Sequence, residues 1–414
     1  MRVAVLAATS LPWHRHGGLE RHVLDLCRWL RLREVEVDLF TSRPEREADA
    51  FAADGGFRLE IVPGVPFLRR RFGVVISRNT LYPVFALRMG AQVVRAAARR
   101  RYVAVLAQGM PGFGYAVWAR RRELQIPLIV NPQGMEEALT PSAVKRAAYL
   151  PFRAMTRYGA RAAAAVIATD RGLRDAVERI LGVAPDRIVV IPNGIDVAHC
   201  LSQVDTRRDE ALRRDLGIDG SSPLVVTVGR LAPNKGFEAG LAALSRASTR
   251  LPASWRWIWI GEGPMRREFE RLVHRNRLTD KVRLPGTRND ADVHNLLAAA
   301  DLFLNPTLYE GSSLVTLEAM SHGCAIVASR AGGIPDKIEE GVTGWLAEPG
   351  DPGSLAEAIL RWWNADVAVR ARVRAGAATR CSEVFDWPVC VDRYLETIRR
   401  LACTPGMERP ADGD

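Results

Sequence analysis

Seven runs in the first half of the chain and six in the second are short and extended-looking, and most of them are apolar at consecutive positions, not alternate ones. They are RVAVLAAT, EVDLFTS, FRLEIVPG, YVAVLAQG, IPLIVNPQG, AAVIATD and RIVVIPNGI, then PLVVTVGR, RWIWIGEG, VRLPG, DLFLNP, AIVASRAGG and TGWLAEPG. Stretches with helical spacing separate them. A strand that is apolar on both faces has to be covered on both, and where strands alternate with helices this means parallel sheets between helical layers. The sequence therefore predicts an α/β protein of two doubly wound, Rossmann-like domains. Ligands of such sheets collect at the carboxyl ends of the strands, so the expected site is a cleft across which the two domains face each other.

At 414 residues the chain is too long for one hydrophobic core. The break is expected between Asn193 and Ser222, where an Asn-Gly turn leads into the charge-mixed stretch SQVDTRRDEALRRDLGIDGSSP. The reading gives an N-terminal domain over 1–200, a second domain over 201–385, a C-terminal helix over 386–402 packing back toward the first domain, and a disordered tail over 403–414. Polar and turn residues cut off the N-terminal apolar run too early for a signal peptide, and no window approaches the roughly 20 apolar residues of a membrane span. The six cysteines are scattered, with no Cys-x-x-Cys spacing. That pattern speaks against a zinc or disulfide scaffold and for a reducing, cytoplasmic location.

The net charge of +11 is concentrated. Residues 61–125 hold twelve arginines, at 69–71, 78, 88, 95, 99–101 and 120–122, against the single acid Glu123, so this segment alone carries the whole excess. Arg88, Arg95 and Arg99, spaced by seven and four, fall on one side of a helix. A basic face without acids suits an anionic membrane surface or an acidic, lipid-phosphate acceptor. The alternative is a set of solvated faces in an arginine-heavy chain.

Several stretches carry chemistry. TLYEGSSLVTLEAMSHG places Glu310 and Glu318 around a serine pair where a strand gives way to a helix, with Ser312 or Ser313 as N-cap and Gly323 as terminator. One carboxylate then sits on a loop and the other on the first turns of a helix whose free N–H groups suit an anion. Taken alone, this window reads equally as a surface loop followed by a first-turn acid. VVTVGRLAPNKG puts Arg230 and Lys235 in the loop at a strand's carboxyl end, where two cations hold a diphosphate and stabilise it as it leaves. The glycine-rich turn of IGEGPMRREFE reads as tight turn geometry close to a ligand. In HRHGGLERH, Gly17 and Gly18 allow close backbone approach to a phosphate or sugar at a helix N-terminus, and Glu20 suits the dipole.

Other features read as structural. His14, His16 and His22 lack a spacing that gathers three ligands, so no metal is expected there. Asp290 and Asp292 precede a helical apolar series and read as capping and first-turn acids. Trp255, Trp257 and Trp259 read as core or interdomain packing in preference to a stacking platform. The first strand is not followed by Gly-x-Gly-x-x-Gly, which argues against a dinucleotide-dependent dehydrogenase.

The ordered set GGLERH, IPNGID, VGRLAPNKG, GEGPMR, ADLFLNPTLYEGSSLVTLEAMSHG and AGGIPDKIEEGVTGWLAEPGD resembles the retaining nucleotide-sugar glycosyltransferases of family 4, which have the GT-B fold. The resemblance implies that Arg230 and Lys235 hold the donor diphosphate, that Glu318 accepts hydrogen bonds from the ribose hydroxyls, and that Glu310 faces the donor sugar. It also implies that backbone N–H groups around Ser312, Ser313 and Leu314 meet the phosphates, with Gly17 and Gly18 closing that site from the other domain. Transfer by the family's route retains configuration and uses a phosphate oxygen of the leaving group as base, with neither metal nor bound cofactor. One departure is Gln133, where many relatives have a histidine near the reacting sugar: an amide donates to a hydroxyl but does not titrate. His322, at the helix end, reads as structural. Asp336 stands where a glutamate is commoner.

These readings give a transferase building a glycan or glycolipid at the inner face of a membrane, whose partners are a nucleotide-sugar donor, a glycan or lipid-linked acceptor and an anionic membrane surface. Two alternatives stay open: a non-catalytic nucleotide- or glycan-binding protein, and a nucleotide-sugar epimerase on the same fold.

Overall fold

The computed structural model describes residues 1–10, 17–43, 56–64, 77–133, 135, 138, 143–218 and 222–403. His14, His16, Arg69 to Arg71 and the tail from residue 404 lie outside the described residues. The chain forms two compact units, one of Met1–Asn193 together with the chain from Trp387 onward, the other of Gly194–Asp386. The boundary lies at Asn193 and Gly194, and not at 200/201, because the short helix Val197–Ser202 buries Val197 and Cys200 in the second unit's core. The two passages between units are tied side by side: Ile195 N donates to the Phe385 carbonyl (2.8 Å) and Val197 N to Asp386 Oδ1 (3.2 Å).

The first unit holds a seven-stranded parallel sheet. Its strands are β1 (Arg2–Leu6), β2 (Glu36–Ser42), β3 (Arg58–Val62), β4 (Ala104–Gln108), β5 (Leu128–Asn131), β6 (Ala165–Ala168) and β7 (Ile188–Val190), in the order β3-β2-β1-β4-β5-β6-β7. The second unit has six parallel strands, β8 (Leu224–Val228), β9 (Arg256–Ile260), β10 (Val282–Gly286), β11 (Leu302–Asn305), β12 (Ile326–Ser329) and β13 (Trp345–Ala347), in the order β10-β9-β8-β11-β12-β13. All thirteen apolar runs of the sequence are strands. In each sheet the winding reverses once, between β1 and β4 and between β8 and β11, and the crevice at such a reversal is where open parallel sheets bind ligands.

Successive residues of one strand feed opposite layers. On one face of the first sheet, Val3 and Val5 meet the helix α1 (Gly18–Leu32). On the other, Ala4 and Leu6 meet the helices α2 (Tyr82–Ala97), α3 (Pro111–Arg121) and α4 (Leu150–Ala162). In the second unit Val225, Trp257 and Leu304 pack on α5 (Phe237–Ala247). Val226, Ile258 and Phe303 pack on α6 (Asp290–Ala299), α7 (Leu314–Ser321) and α8 (Ile334–Lys337). The last helix, α9 (Trp387–Ala402), joins α1 on the first sheet through Trp387, Tyr394 and Ile398. Among the described residues no helix is long and apolar enough to cross a membrane.

Trp255, Trp257 and Trp259 are core residues, none more than 1% exposed. Trp257 and Trp259 each stack edge-on against Phe269 with centroids 5.4 Å apart. Their indole N–H groups are satisfied by Thr227 Oγ1 (3.0 Å) and the Gly229 carbonyl (2.9 Å), which removes the cost of burying them. The second bond fixes the start of the loop that carries Arg230.

Each unit also holds a histidine partly or fully shielded from water. His22 on α1 lies 5.4 Å from the Trp387 ring with neither ring nitrogen hydrogen-bonded. His322, the C-cap of α7, has Nε2 2.9 Å from His294 Nδ1. Burial holds the pKa of both His22 and His322 down at about 4. The unfolded chain, titrating near 6.5, takes up these protons first, so the stability each contributes is complete above pH 6.5 and is lost as pH falls from 6.5 to 4. A thermal melt series should show the midpoint falling across that window, and His22→Phe should flatten the fall; an unchanged slope would rule out His22 as one of its sources.

Candidate functional site

The residues that the sequence singles out in the second unit come together at its reversal point. β8 ends at Val228, and the loop after it is held at both neighbours of Arg230: Gly229 N donates to the Ile260 carbonyl (2.9 Å) and Leu231 N to the Glu262 carbonyl (3.0 Å). The glycine-rich turn after β9 thus packs on this loop's own backbone. Arg230 is exposed and makes no hydrogen bond or ion pair with another described residue, so its guanidinium is available to an anion.

Lys235 closes the short turn Pro233–Lys235, and Asn234 beside it joins that turn to the segment after β11. The Asn234 carbonyl accepts from Leu308 N (2.8 Å) and Thr307 Oγ1 (2.9 Å), while its Nδ2 donates to the Tyr309 carbonyl (3.0 Å). These bonds bring the Lys235 ammonium into a direct ion pair with Glu310 Oε2. The side chains are 21% and 17% exposed, a setting in which removing one partner of a pair costs more than the pair adds.

Two glycines make this geometry possible. Gly236 (φ +66°) and Gly332 (φ +53°) adopt left-handed backbone, and a Cβ would lie 1.9 Å from the Pro306 carbonyl oxygen at the first and 1.6 Å from that of Glu310 at the second. The Glu310 loop is therefore gripped by the Lys235 turn on one side and the 332–337 turn on the other.

Ser313 is the N-cap of α7, yet its side chain makes no capping bond. Its Oγ instead accepts from Thr316 Oγ1 (2.9 Å) and Asn305 Nδ2 (3.3 Å) beneath it. The first N–H groups of α7, from Leu314 on, have no side-chain cap and remain open to an anion, with the dipole favouring it. Ser312 and Leu314 flank this end, half-buried, and Glu318 lies one helical turn further along. Arg230, the Lys235–Glu310 pair, the uncapped end of α7 and Glu318 thus belong to one end of one sheet. The arrangement offers a fixed cation, an oriented carboxylate and a set of backbone donors.

In the first unit the corresponding reversal carries a different set. Gly17 is the extended N-cap of α1 and Gly18 its first residue, both exposed. Glu20 folds back over this turn and accepts from Thr9 Oγ1 (2.8 Å). Gln133 follows β5 in left-handed backbone (φ +59°), a conformation that costs a non-glycine residue about 1 kcal/mol or more and that clusters at binding sites. Its N donates to Asn131 Oδ1 (2.9 Å), and its Nε2 to Gln108 Oε1 (2.6 Å). Gln108 and Asn131 end β4 and β5 and are buried. The sequence reading missed both, although polar residues closing the apolar runs YVAVLAQG and IPLIVNPQG are the signal that would have found them.

Arg88 and Arg95 project from α2 and are exposed; Arg99 is exposed too, but α2 ends at Ala97, so it stands on the following turn and not on the helix. Helices α2, α3 and α4, which share one sheet face with the segment 171–181, contain no aspartate or glutamate at all. Asp290 and Asp292 are first-turn acids of α6: Asn289 is the N-cap, and Asp292 pairs with Arg208 (2.7 Å). Among the described residues no three metal-ligating side chains come together.

Residues 16–199 match the family described as Glycosyltransferase Family 4, and residues 222–365 that described as Glycosyl transferases group 1. A D-inositol 3-phosphate glycosyltransferase of Xylanimonas cellulosilytica is 28% identical over 96% of this chain and 97% of its own. Among solved structures, Anabaena HepE in complex with UDP superposes with a TM-score of 0.74 at 23% identity, covering 97% of this chain and all of its own. WaaG, a glycosyltransferase involved in lipopolysaccharide biosynthesis, gives 0.69 at 19% identity over 96% and 99%. Two sheets wound as described, with both halves matched in order, are those of a glycosyltransferase, and the chain belongs to family 4, with the GT-B fold.

Proposed function

We propose that the protein transfers a sugar, with retention of configuration, from a nucleotide-sugar donor to a hydroxyl of a glycan or lipid-linked acceptor. The observation that carries this reading is the uncapped N-terminus of α7 beside the Lys235–Glu310 pair and Arg230, which has no partner among the described residues. In this reading the donor diphosphate lies against the α7 N–H groups, Arg230 and Lys235. Glu318 takes the ribose hydroxyls on its two oxygens, and Glu310, aimed by its ion pair with Lys235, accepts from a hydroxyl of the donor sugar. Arg230 and Lys235 stabilise the negative charge that grows on the departing diphosphate, the task a divalent cation performs elsewhere, so no metal or cofactor is required. The acceptor hydroxyl attacks on the face the nucleotide leaves, and a leaving phosphate oxygen takes its proton. No titrating side chain is needed for that step, which agrees with an amide at Gln133.

The acid-free helices α2, α3 and α4 favour a negatively charged acceptor or surface. We place the protein at the inner face of a membrane, held by Arg88, Arg95 and Arg99 and acting in surface polysaccharide or glycolipid synthesis. A second reading follows from the relatives named for D-inositol 3-phosphate: a phosphorylated polyol acceptor meets the same cations. Assaying both acceptor classes separates the two.

Three outcomes are expected. In a thermal-shift panel of UDP, GDP, ADP and dTDP, one nucleotide at 100 times its Kd should add about 2.7 kcal/mol of stability, and Glu318→Ala should abolish the shift; no shift with any of them would leave the donor reading without support. With that nucleotide's sugars as donors, the product should keep the donor's anomeric configuration by NMR and turnover should survive EDTA, while Glu310→Gln should lower kcat by about 100-fold or more. An inverted product would overturn the retaining mechanism. Reversing the charge of Arg88, Arg95 and Arg99 together should weaken binding to anionic vesicles at moderate salt, and unchanged binding would refute the membrane assignment.

A further inference from the structure

Lys337 is one of only four lysines in the chain and is 1% exposed. It ends α8, the four-residue helix directly behind the Glu310 loop. Its Nζ lies 3.3 Å from Ser312 Oγ and 3.3 Å from the Gly333 carbonyl oxygen, and 5.9 Å from the centroid of the Phe385 ring. The surrounding backbone is held firmly. Arg380 donates to the carbonyls of Lys337 (3.0 Å) and Asp336 (2.8 Å), and Gly333 N donates to the Gly311 carbonyl (3.1 Å).

An ammonium group has three donors and no acceptor. Ser312 Oγ must therefore accept from Lys337, and its own proton is turned away from the lysine. Ser312 precedes the N-cap of α7, at the end where the helix N–H groups are open. The same logic holds one residue on, where Ser313 Oγ accepts from Asn305 and Thr316 beneath it. Both hydroxyl oxygens of the serine pair are thus engaged from behind by buried donors. An apolar side chain of similar volume would avoid the desolvation cost of a buried cation, so its presence here calls for a role besides packing.

We infer that Lys337 is a positioning residue for the donor diphosphate: from behind, it fixes Ser312 so that the hydroxyl proton faces the phosphate, and it sets a positive charge one layer beneath the anion. This rests on the donor reading given above, and the test separates the two. Lys337→Met keeps the length of the side chain and is compatible with a buried site. Calorimetric titration would use the nucleoside diphosphate that binds the unsubstituted protein and, in parallel, the matching nucleoside. The substitution should weaken the diphosphate by about tenfold or more and leave the nucleoside within about twofold, with the loss in turnover appearing in KM for the donor.

Ser312→Ala should give the same diphosphate-selective loss, and the double variant should be little worse than either single one, as expected for two residues acting through one contact. Equal weakening of nucleoside and diphosphate, additive losses in the double variant, or no loss would overturn the inference. Should the methionine variant not fold, Ser312→Ala alone decides: without a diphosphate-selective loss the inference fails. An unsubstituted protein that binds no nucleoside diphosphate would overturn the donor reading, and this inference with it.

Discussion

The loop that follows β11 has to approach two other backbones at once, and most of the second unit's chemistry depends on that approach. On one side Asn234 ties it to the Lys235 turn, and on the other the 332–337 turn presses against the Glu310 carbonyl. Neither contact tolerates a side chain at Gly236 or Gly332, so the carboxylate of Glu310 is aimed by backbone packing before any ligand arrives. The ion pair with Lys235 then supplies charge in a place that is already rigid. A preorganised group of this kind needs little rearrangement when charge develops on a bound diphosphate.

Much of this was legible in the sequence. The thirteen strands could be read because a parallel strand buried on both faces leaves a continuous apolar run, and the winding confines functional residues to the loops after those runs. Arg230, Lys235, Glu310 and the serine pair all lie there. What could not be read was their mutual geometry. Lys235 and Glu310 are 75 residues apart, and no local pattern announces that they pair. Lys337 gave no signal in the sequence because burial of a lysine is decided by tertiary neighbours, here Ser312, Gly333 and Phe385. Only the helical placement of Arg99 failed, and for a local reason: its spacing from Arg88 and Arg95 was right, but α2 stops at Ala97. The boundary between units was displaced because Val197 and Cys200 side with the second core, a preference that the charge-mixed sequence around them hides.

The electrostatics of the two units differ in emphasis. In the second, opposite charges are paired at short range, as in Lys235 with Glu310 and Arg208 with Asp292. The first has such pairs too, as in Arg100 with Asp38 and Glu60, but three helices on one sheet face are free of acids and leave several arginines exposed. Short-range pairs fix geometry and are weakly affected by salt, whereas an unbalanced exposed layer acts over about a Debye length and weakens as ionic strength rises.

The return of α9 to the first sheet has a consequence for how the protein is made. Trp387, Cys390, Tyr394 and Ile398 complete the layer that α1 begins, with His22 against Trp387. The first 193 residues leave the ribosome long before these partners exist, so the nascent first unit presents an uncovered apolar face while the whole of Gly194–Asp386, contiguous in the chain, is synthesised. The second unit can fold in order of synthesis; the first must wait for the final helix and is the part of the newborn chain exposed to aggregation and to chaperone capture.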